Sequence, residues 1–227
     1  MTELTLEAVD RDEALTSAIA ELCGTTRAGF LRTAALGSAA MLAALAAPAS
    51  GAQLSDVDML RFGLRFERLQ ATFYTQAEEI GTIGTMPSAK QEWARTLGAH
   101  ERAHVKIIKQ VLGPKAEGAP TFDFRNANET DERFTRTAVA MEDLTVALLG
   151  GVTPKIQNRG LTAALFGLLT VEARHAAWAR NIVGSTPAPT AFDEPKSLGG
   201  VRRTVAETRF VVAPPKTVAK RKPRYAG

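Results

Sequence analysis

"GAHERAHVKI", residues 98–107, places His100, Glu101 and His104 in the order H-E-x-x-H. On a helix the two histidines lie one turn apart with a glutamate beside them, the arrangement of zinc metalloproteases, where the glutamate activates metal-bound water. The same letters contain E-x-x-H, in which Glu101 and His104 share a helix face as one part of a two-metal carboxylate site. His100 then stands off the ligand line as a surface or outer residue. The first reading needs a substrate cleft; the second needs further helices, each bringing an acid to the same level.

The surrounding chain is built for helices. Its 227 residues are 45% hydrophobic, 23% charged and only 6% aromatic, which suits one globular domain with appendages. Alanine and leucine dominate and β-branched runs are few. Four blocks follow a helical period. The first runs from about Ser55 to Ile80, carries Leu60, Leu64, Ala71 and Tyr74, and stops at Gly81 and Gly84. The second opens with Ser88 as a cap residue, carries Leu97, Val105, Ile108 and Leu112, and ends at Gly113-Pro114. After the loop "KAEGAPTFDFRNANET", residues 115–130, the third block runs from about Glu129 to Leu149 and is expected to close at Gly150-Gly151. The fourth begins near Pro154, bears Leu161, Leu165, Leu168 and Ile182, and ends at Gly184. Short links make blocks one and two, and blocks three and four, antiparallel hairpins. The longer middle link is expected to cross the end of the bundle. The fold class is therefore all-α, an antiparallel four-helix bundle with a long crossover between helices two and three.

Each block puts one acid on its apolar face. Glu67 lies in line with Leu60, Leu64, Ala71 and Tyr74, and Glu101 sits one turn from Leu97, Val105 and Ile108. Glu142 shares a stripe with Ala138, Val146 and Leu149, and Glu172 is flanked by Leu165, Leu168, Leu169 and Ala176. A lone carboxylate facing a core costs several kcal/mol or takes up a proton, so four of them call for a shared cation. His104 and His175 each follow a glutamate by three positions. All four acids fall near the middle of their blocks, which brings them to one level in the bundle. The order is duplicated: Glu67 then Glu101-x-x-His104, Glu142 then Glu172-x-x-His175.

One glutamate from each of two helices and Glu-x-x-His from each of the other two is the ligand pattern of ferritin-like di-iron and di-manganese proteins. The chain resembles the ferritin-like superfamily, and specifically bacterial ferritin-like domain proteins with an export-type leader. The resemblance rests on "RFERLQATFYTQA" (65–77), "HERAHVKIIKQVLG" (100–113), "AVAMEDLTVALLGG" (138–151), "TVEARHAAWARNIVG" (170–184) and "APTAFDEP" (188–195), and spans about residues 53 to 212. It implies terminal carboxylates at Glu67 and Glu142, bridging ones at Glu101 and Glu172, and one imidazole per metal from His104 and His175. The implied cofactor is two iron ions, with manganese as the variant, and the oxidant is O₂ or peroxide. Four carboxylates and two neutral imidazoles carry a formal −4, which two divalent cations cancel. Tyr74, two turns beyond Glu67, can hydrogen-bond a ligand or pass an electron, or can simply pack in the core, as Trp93 and Trp178 are expected to do.

Three functional readings stay open at this level: Fe(II) oxidation in metal handling or oxidative-stress protection, a bundle whose metals serve stability alone, and the zinc protease. The protease reading leaves Glu67, Glu142, Glu172 and His175 with nothing to bind. Storage of mineral would want an acidic cluster outside the site, and none is visible; a homo-oligomer is compatible with the family.

The termini divide the chain further. Residues 1–52 form an expected leader: "TTRAGFLRTAALGSAAMLAALAAPASGA" (25–52) puts Arg27 and Arg32 before an apolar run that ends in small residues, an export signal or else an anchoring helix. "TRAGFLR" resembles the twin-arginine pattern with one arginine of the pair. The expected location is the periplasm or cell envelope, with membrane contact only through an uncleaved leader. Residues 53–184 are the bundle, 185–212 an extension packed on it, and 213–227 a basic tail. The net charge of +4 owes much to Lys216, Lys220, Arg221, Lys222 and Arg224 in that tail, which lacks the aromatic interleaving of a nucleic-acid contact. The single cysteine, Cys23, excludes an intrachain disulfide.

Overall fold

The computed structural model describes residues 54–213, so the leader and residues 214–227 of the basic tail lie outside the described residues. Four long helices form the bundle: α1 (Asp56–Glu79), α2 (Ser88–Leu112), α3 (Asp131–Val152) and α4 (Arg159–Ile182). A shorter α5 (Leu198–Thr208) and two short strands, β1 (Thr121–Phe122) and β2 (Val211–Ala213), complete it. Among the described residues no helix is long and apolar enough to cross a membrane.

Local chemistry explains most helix ends. Ser55 caps α1 by accepting from the Asp58 amide, Thr130 caps α3 through Arg133, and Asn158 caps α4 through Leu161. Ser88 is not the cap of α2. Pro87 holds that place without a side-chain bond, and Ser88 is the first helical residue. Pro154 likewise lies ahead of α4, in a 3₁₀ turn over Thr153–Lys155.

Gly150 and Gly151 do not close the third helix; α3 runs through them to Val152. Their role is close approach. A Cβ at Gly151 would collide with the Lys196 carbonyl oxygen, where the returning chain crosses α3 and the Lys196 amide bonds the Ala147 carbonyl at 2.8 Å. A bare backbone lets that segment lie against the helix.

The hairpins pack as expected, α1 on α2 and α3 on α4. The crossover differs from expectation: it runs along the flank of α1 and not over the end of the bundle. Three arginines at helical spacing hold it there, with Arg61 donating to the Lys115 carbonyl, Arg65 to Glu117 and Arg68 to the Gly118 carbonyl. Lys90 near the start of α2 meets Asp131 at the start of α3 at 2.8 Å. Helices α2 and α3 therefore run the same way, and the hairpins are joined at opposite ends. At the other end, Asp56 accepts from the Gln157 and Asn158 amides, both at 2.9 Å, tying the start of α1 to that of α4.

Aromatic side chains fill the core on the α2 N-terminal side of the acids: Phe73 stacks on Phe134 at 5.1 Å, and Tyr74 stands edge-on to Trp93 and Phe134. Trp93 is fully buried and Trp178 packs at the margin, in line with the packing roles expected of them. The extension adds α5, anchored on α3 by the buried Val201, and β2, which pairs antiparallel with β1 of the crossover.

Candidate metal centre

At mid-bundle the six residues singled out by spacing converge. Glu67, Glu101, His104 and Glu172 offer ligand atoms within 4.8 Å of one another, as do Glu101, Glu142, Glu172 and His175. Glu101 and Glu172 belong to both groups. Each reaches across to the other hairpin: Glu172 Oε1 lies 2.9 Å from His104 Nδ1, and Glu101 Oε1 lies 3.1 Å from His175 Nδ1. The outer members stay with one group each, Glu67 Oε2 at 3.3 Å from His104 and Glu142 Oε2 at 3.6 Å from His175.

These side chains are deeply buried. Glu101, Glu142 and Glu172 have no exposed surface, and Glu67 and His175 keep 2% and 3%. Yet both oxygens of Glu101 and of Glu172, one of Glu67, one of Glu142, and Nδ1 of both histidines have no hydrogen-bond partner among the described residues. The close approaches among them lack hydrogen-bond direction. Lone pairs gathered at one place without satisfying each other are what a cation site requires, and without a cation this burial would be costly. Carboxylate and imidazole donors suit iron or manganese, so the residues fit a metal pair.

Protonation follows the same logic. Burial works against both imidazolium ions, but the facing carboxylates prevail: His175 is pushed up to about 12 by Glu101, Glu142 and Glu172, and His104 is raised well above its ordinary value by Glu101, Glu172 and Glu67. Burial would raise Glu172 too, yet His104 and His175 bring it down to about 2. Glu101 is raised well above the carboxylate range by burial and by Glu172, Glu142 and Glu67, and Glu142 is raised by burial against the pull of His175 and Tyr74. In the metal-free chain, protons on the two imidazoles supply part of the positive charge that cations would bring.

Tyr74 does more than pack. Fully buried, it donates its phenol to Glu142 Oε1 at 2.7 Å, leaving Oε2 to face the cluster. Burial first, and then Glu142, keep the phenol protonated by raising it well above its usual range. Beyond it, Thr145 donates to Gln70 Oε1 at 2.6 Å, a buried polar pair one turn from Glu142 and Glu67. Nothing in the sequence marks that pair, since Gln70 and Thr145 carry no motif.

His100 joins neither ligand group. It is half-buried, and its Nδ1 lies 2.9 Å from His175 Nε2. Burial, then His175 and His104, lower its affinity for a proton. The H-E-x-x-H spacing does put His100 and His104 on nearby faces of α2, but His100 meets a histidine of α4 and shares no ligand group with His104. The geometry of a zinc protease, with both histidines on one ion, is absent from this segment.

A family model for the ferritin-like domain matches residues 55–185. The chain belongs to that family. The matched span begins at the cap of α1 and ends just past α4, so it takes in all six converging residues and leaves α5 and β2 outside. No curated protein matches the chain. Membership and the carboxylate–histidine cluster together make this a ferritin-like bundle with a candidate metal centre.

Proposed function

We propose that the chain binds two iron ions and oxidises Fe(II), with O₂ or peroxide as oxidant, in metal handling or oxidative-stress protection. The observation that carries this reading is the pair of ligand groups sharing Glu101 and Glu172 at the buried centre of the bundle. Glu67 and His104 would hold one ion, Glu142 and His175 the other, with Glu101 and Glu172 within reach of both. An iron pair supplies two electrons, each ion passing from divalent to trivalent, and manganese would occupy the same ligands.

The protein's own part is charge and placement. Four carboxylates neutralise two divalent ions and favour the added charge of the oxidised pair. Tyr74 keeps Glu142 turned so that one oxygen faces inward. The aromatic wall of Phe73, Tyr74, Trp93 and Phe134 bars water from that side. His104, with 12% of its side chain exposed, marks the side nearest solvent.

Full burial of Glu101, Glu142 and Glu172 favours a second reading, a centre whose metals stabilise the fold without turnover. Anaerobic loading with Fe(II) followed by O₂ separates the two. Oxidation of two Fe(II) per chain within seconds to minutes, with O₂ consumed, is the expected result. Slow oxidation at the rate of free Fe(II), with a large loss of thermal stability on chelation, would favour the second.

The leader places the mature unit, from about residue 53, outside the cytoplasm in this reading. Fractionation is expected to find soluble protein lacking the first 52 residues in the cell envelope; intact protein beginning at Met1 in the cytoplasm would overturn that placement.

A further inference from the structure

Outside the two ligand groups His175 meets His100, whose half-buried ring no part of the proposed chemistry uses. Its Nδ1 stands 2.9 Å from His175 Nε2. The ring centres are 5.1 Å apart with planes 20° from parallel. That separation is close to the nitrogen–nitrogen distance plus the two ring radii, so the rings meet edge to edge with the contact in their planes. This is hydrogen-bond geometry, since a face-to-face stack would bring the centres closer than the sum.

The direction of the bond follows from the other side of the His175 ring. Its Nδ1 faces Glu101, Glu142 and Glu172 and has no hydrogen-bond partner. If Nδ1 gives its lone pair to a metal ion, the remaining proton must sit on Nε2, which donates to His100. His100 then accepts through Nδ1 and carries its own proton on Nε2.

We propose that His100 is a positioning residue for the Glu142–His175 metal position, accepting the Nε2 proton of His175 and so fixing the tautomer and ring orientation that turn Nδ1 toward the ion. It acts as the outer hydrogen-bond partner that metal-ligating histidines commonly have, with an imidazole in place of a carboxylate or carbonyl. No hydrogen bond from the described residues backs the His104 ring in this way, so the effect belongs to one position of the two. The inference rests on the two-metal reading.

Two measurements on the full chain test it. In zinc-loaded protein, ¹⁵N correlation spectra are expected to show His175 metal-bound at Nδ1 and protonated at Nε2. In anaerobic Co(II) titrations, His100→Ala is expected to weaken one of the two binding steps about 10- to 100-fold, the usual effect of losing such a partner. His100→Asn, whose side-chain oxygen can stand where Nδ1 stood, is expected to restore most of the loss. Circular dichroism of the metal-free variants checks that the bundle is kept, and the spectrum of the wild-type chain serves even if His100→Ala does not fold. Zinc on His175 Nε2, two unchanged binding steps in His100→Ala, or equal weakening by Ala and Asn would overturn the role of His100 and leave the two-metal reading intact. A wild-type chain that takes up fewer than two Co(II) ions would overturn that reading, and this inference with it.

Discussion

His104 and His175 hold equivalent places in the two hairpins, each three residues after a glutamate, yet they live in different surroundings. His104 keeps 12% of its side chain exposed, while His175 keeps 4% and has His100 behind it. The outer carboxylates differ in the same sense: both leave their cluster-facing oxygen unpartnered, but the other oxygen of Glu142 accepts from the buried Tyr74 phenol, a brace with no counterpart at Glu67 among the described residues. A duplicated motif therefore brings together a duplicated set of candidate ligands, but their support comes from neighbours the motif does not specify. The position on α3 and α4 is braced and dry, and that on α1 and α2 lies nearer to solvent.

The largest expected effect treats the positions as one. Because Glu101 and Glu172 belong to both ligand groups, Glu101→Ala or Glu172→Ala should take metal content from two ions per chain toward zero. Glu67→Ala and Glu142→Ala should each leave about one. Metal analysis after Co(II) loading checks this, and loss of both ions from Glu67→Ala would break the division into shared and outer ligands.

Acidity should weaken metal binding steeply. His175 is pushed up to about 12 and His104 is raised well above its ordinary value in the metal-free chain, so the two imidazoles hold protons at neutral pH that an incoming ion must displace. Affinity thus rises with pH and falls as pH drops, by about tenfold per pH unit for each proton displaced. Calorimetry in buffers of different ionisation heat should count more than one proton released per chain; release of none would contradict the proton-filled cluster.

Tyr74→Phe sharpens the contrast between positions. It leaves Glu142 Oε1 buried without its donor, and hydrogen bonds to charged groups are worth about 1.5–3 kcal/mol. One binding step should weaken roughly tenfold or more and the other stay as it was. Equal weakening of both would deny the asymmetry.

The smallest effect on the centre is expected from Gly151→Ala. Its Cβ would collide with the Lys196 carbonyl, and overpacking of this kind costs about 1–3 kcal/mol. Thermal unfolding should report the loss while metal content stays at two.

Much of this architecture is legible in the sequence. The helical period of the apolar residues and the central placement of Glu67, Glu101, Glu142 and Glu172 gave the bundle and the converging ligands, because both depend on spacing along a helix. What was not legible depends on neighbours far apart in sequence. Gly150-Gly151 looked like a helix stop, but the pair is kept by a segment more than forty residues on from where α3 was capped, and nothing local records that approach. The flank route of the crossover was written in Arg61, Arg65 and Arg68, whose partners are carbonyls and one acid of the loop itself. Backbone partners leave no mark in a motif. Spacing places His100 off the ligand line as a surface or outer residue, but nothing in α2 records that its neighbour is His175 on α4.

The central claim is that one buried cluster binds two ions through shared carboxylates. Its most direct test is an anaerobic Co(II) titration of the purified full chain, followed by desalting and metal analysis per chain. Saturation at two ions, with both lost in Glu172→Ala, is the predicted result. Saturation at a single ion, or two ions that survive in Glu172→Ala, would contradict it.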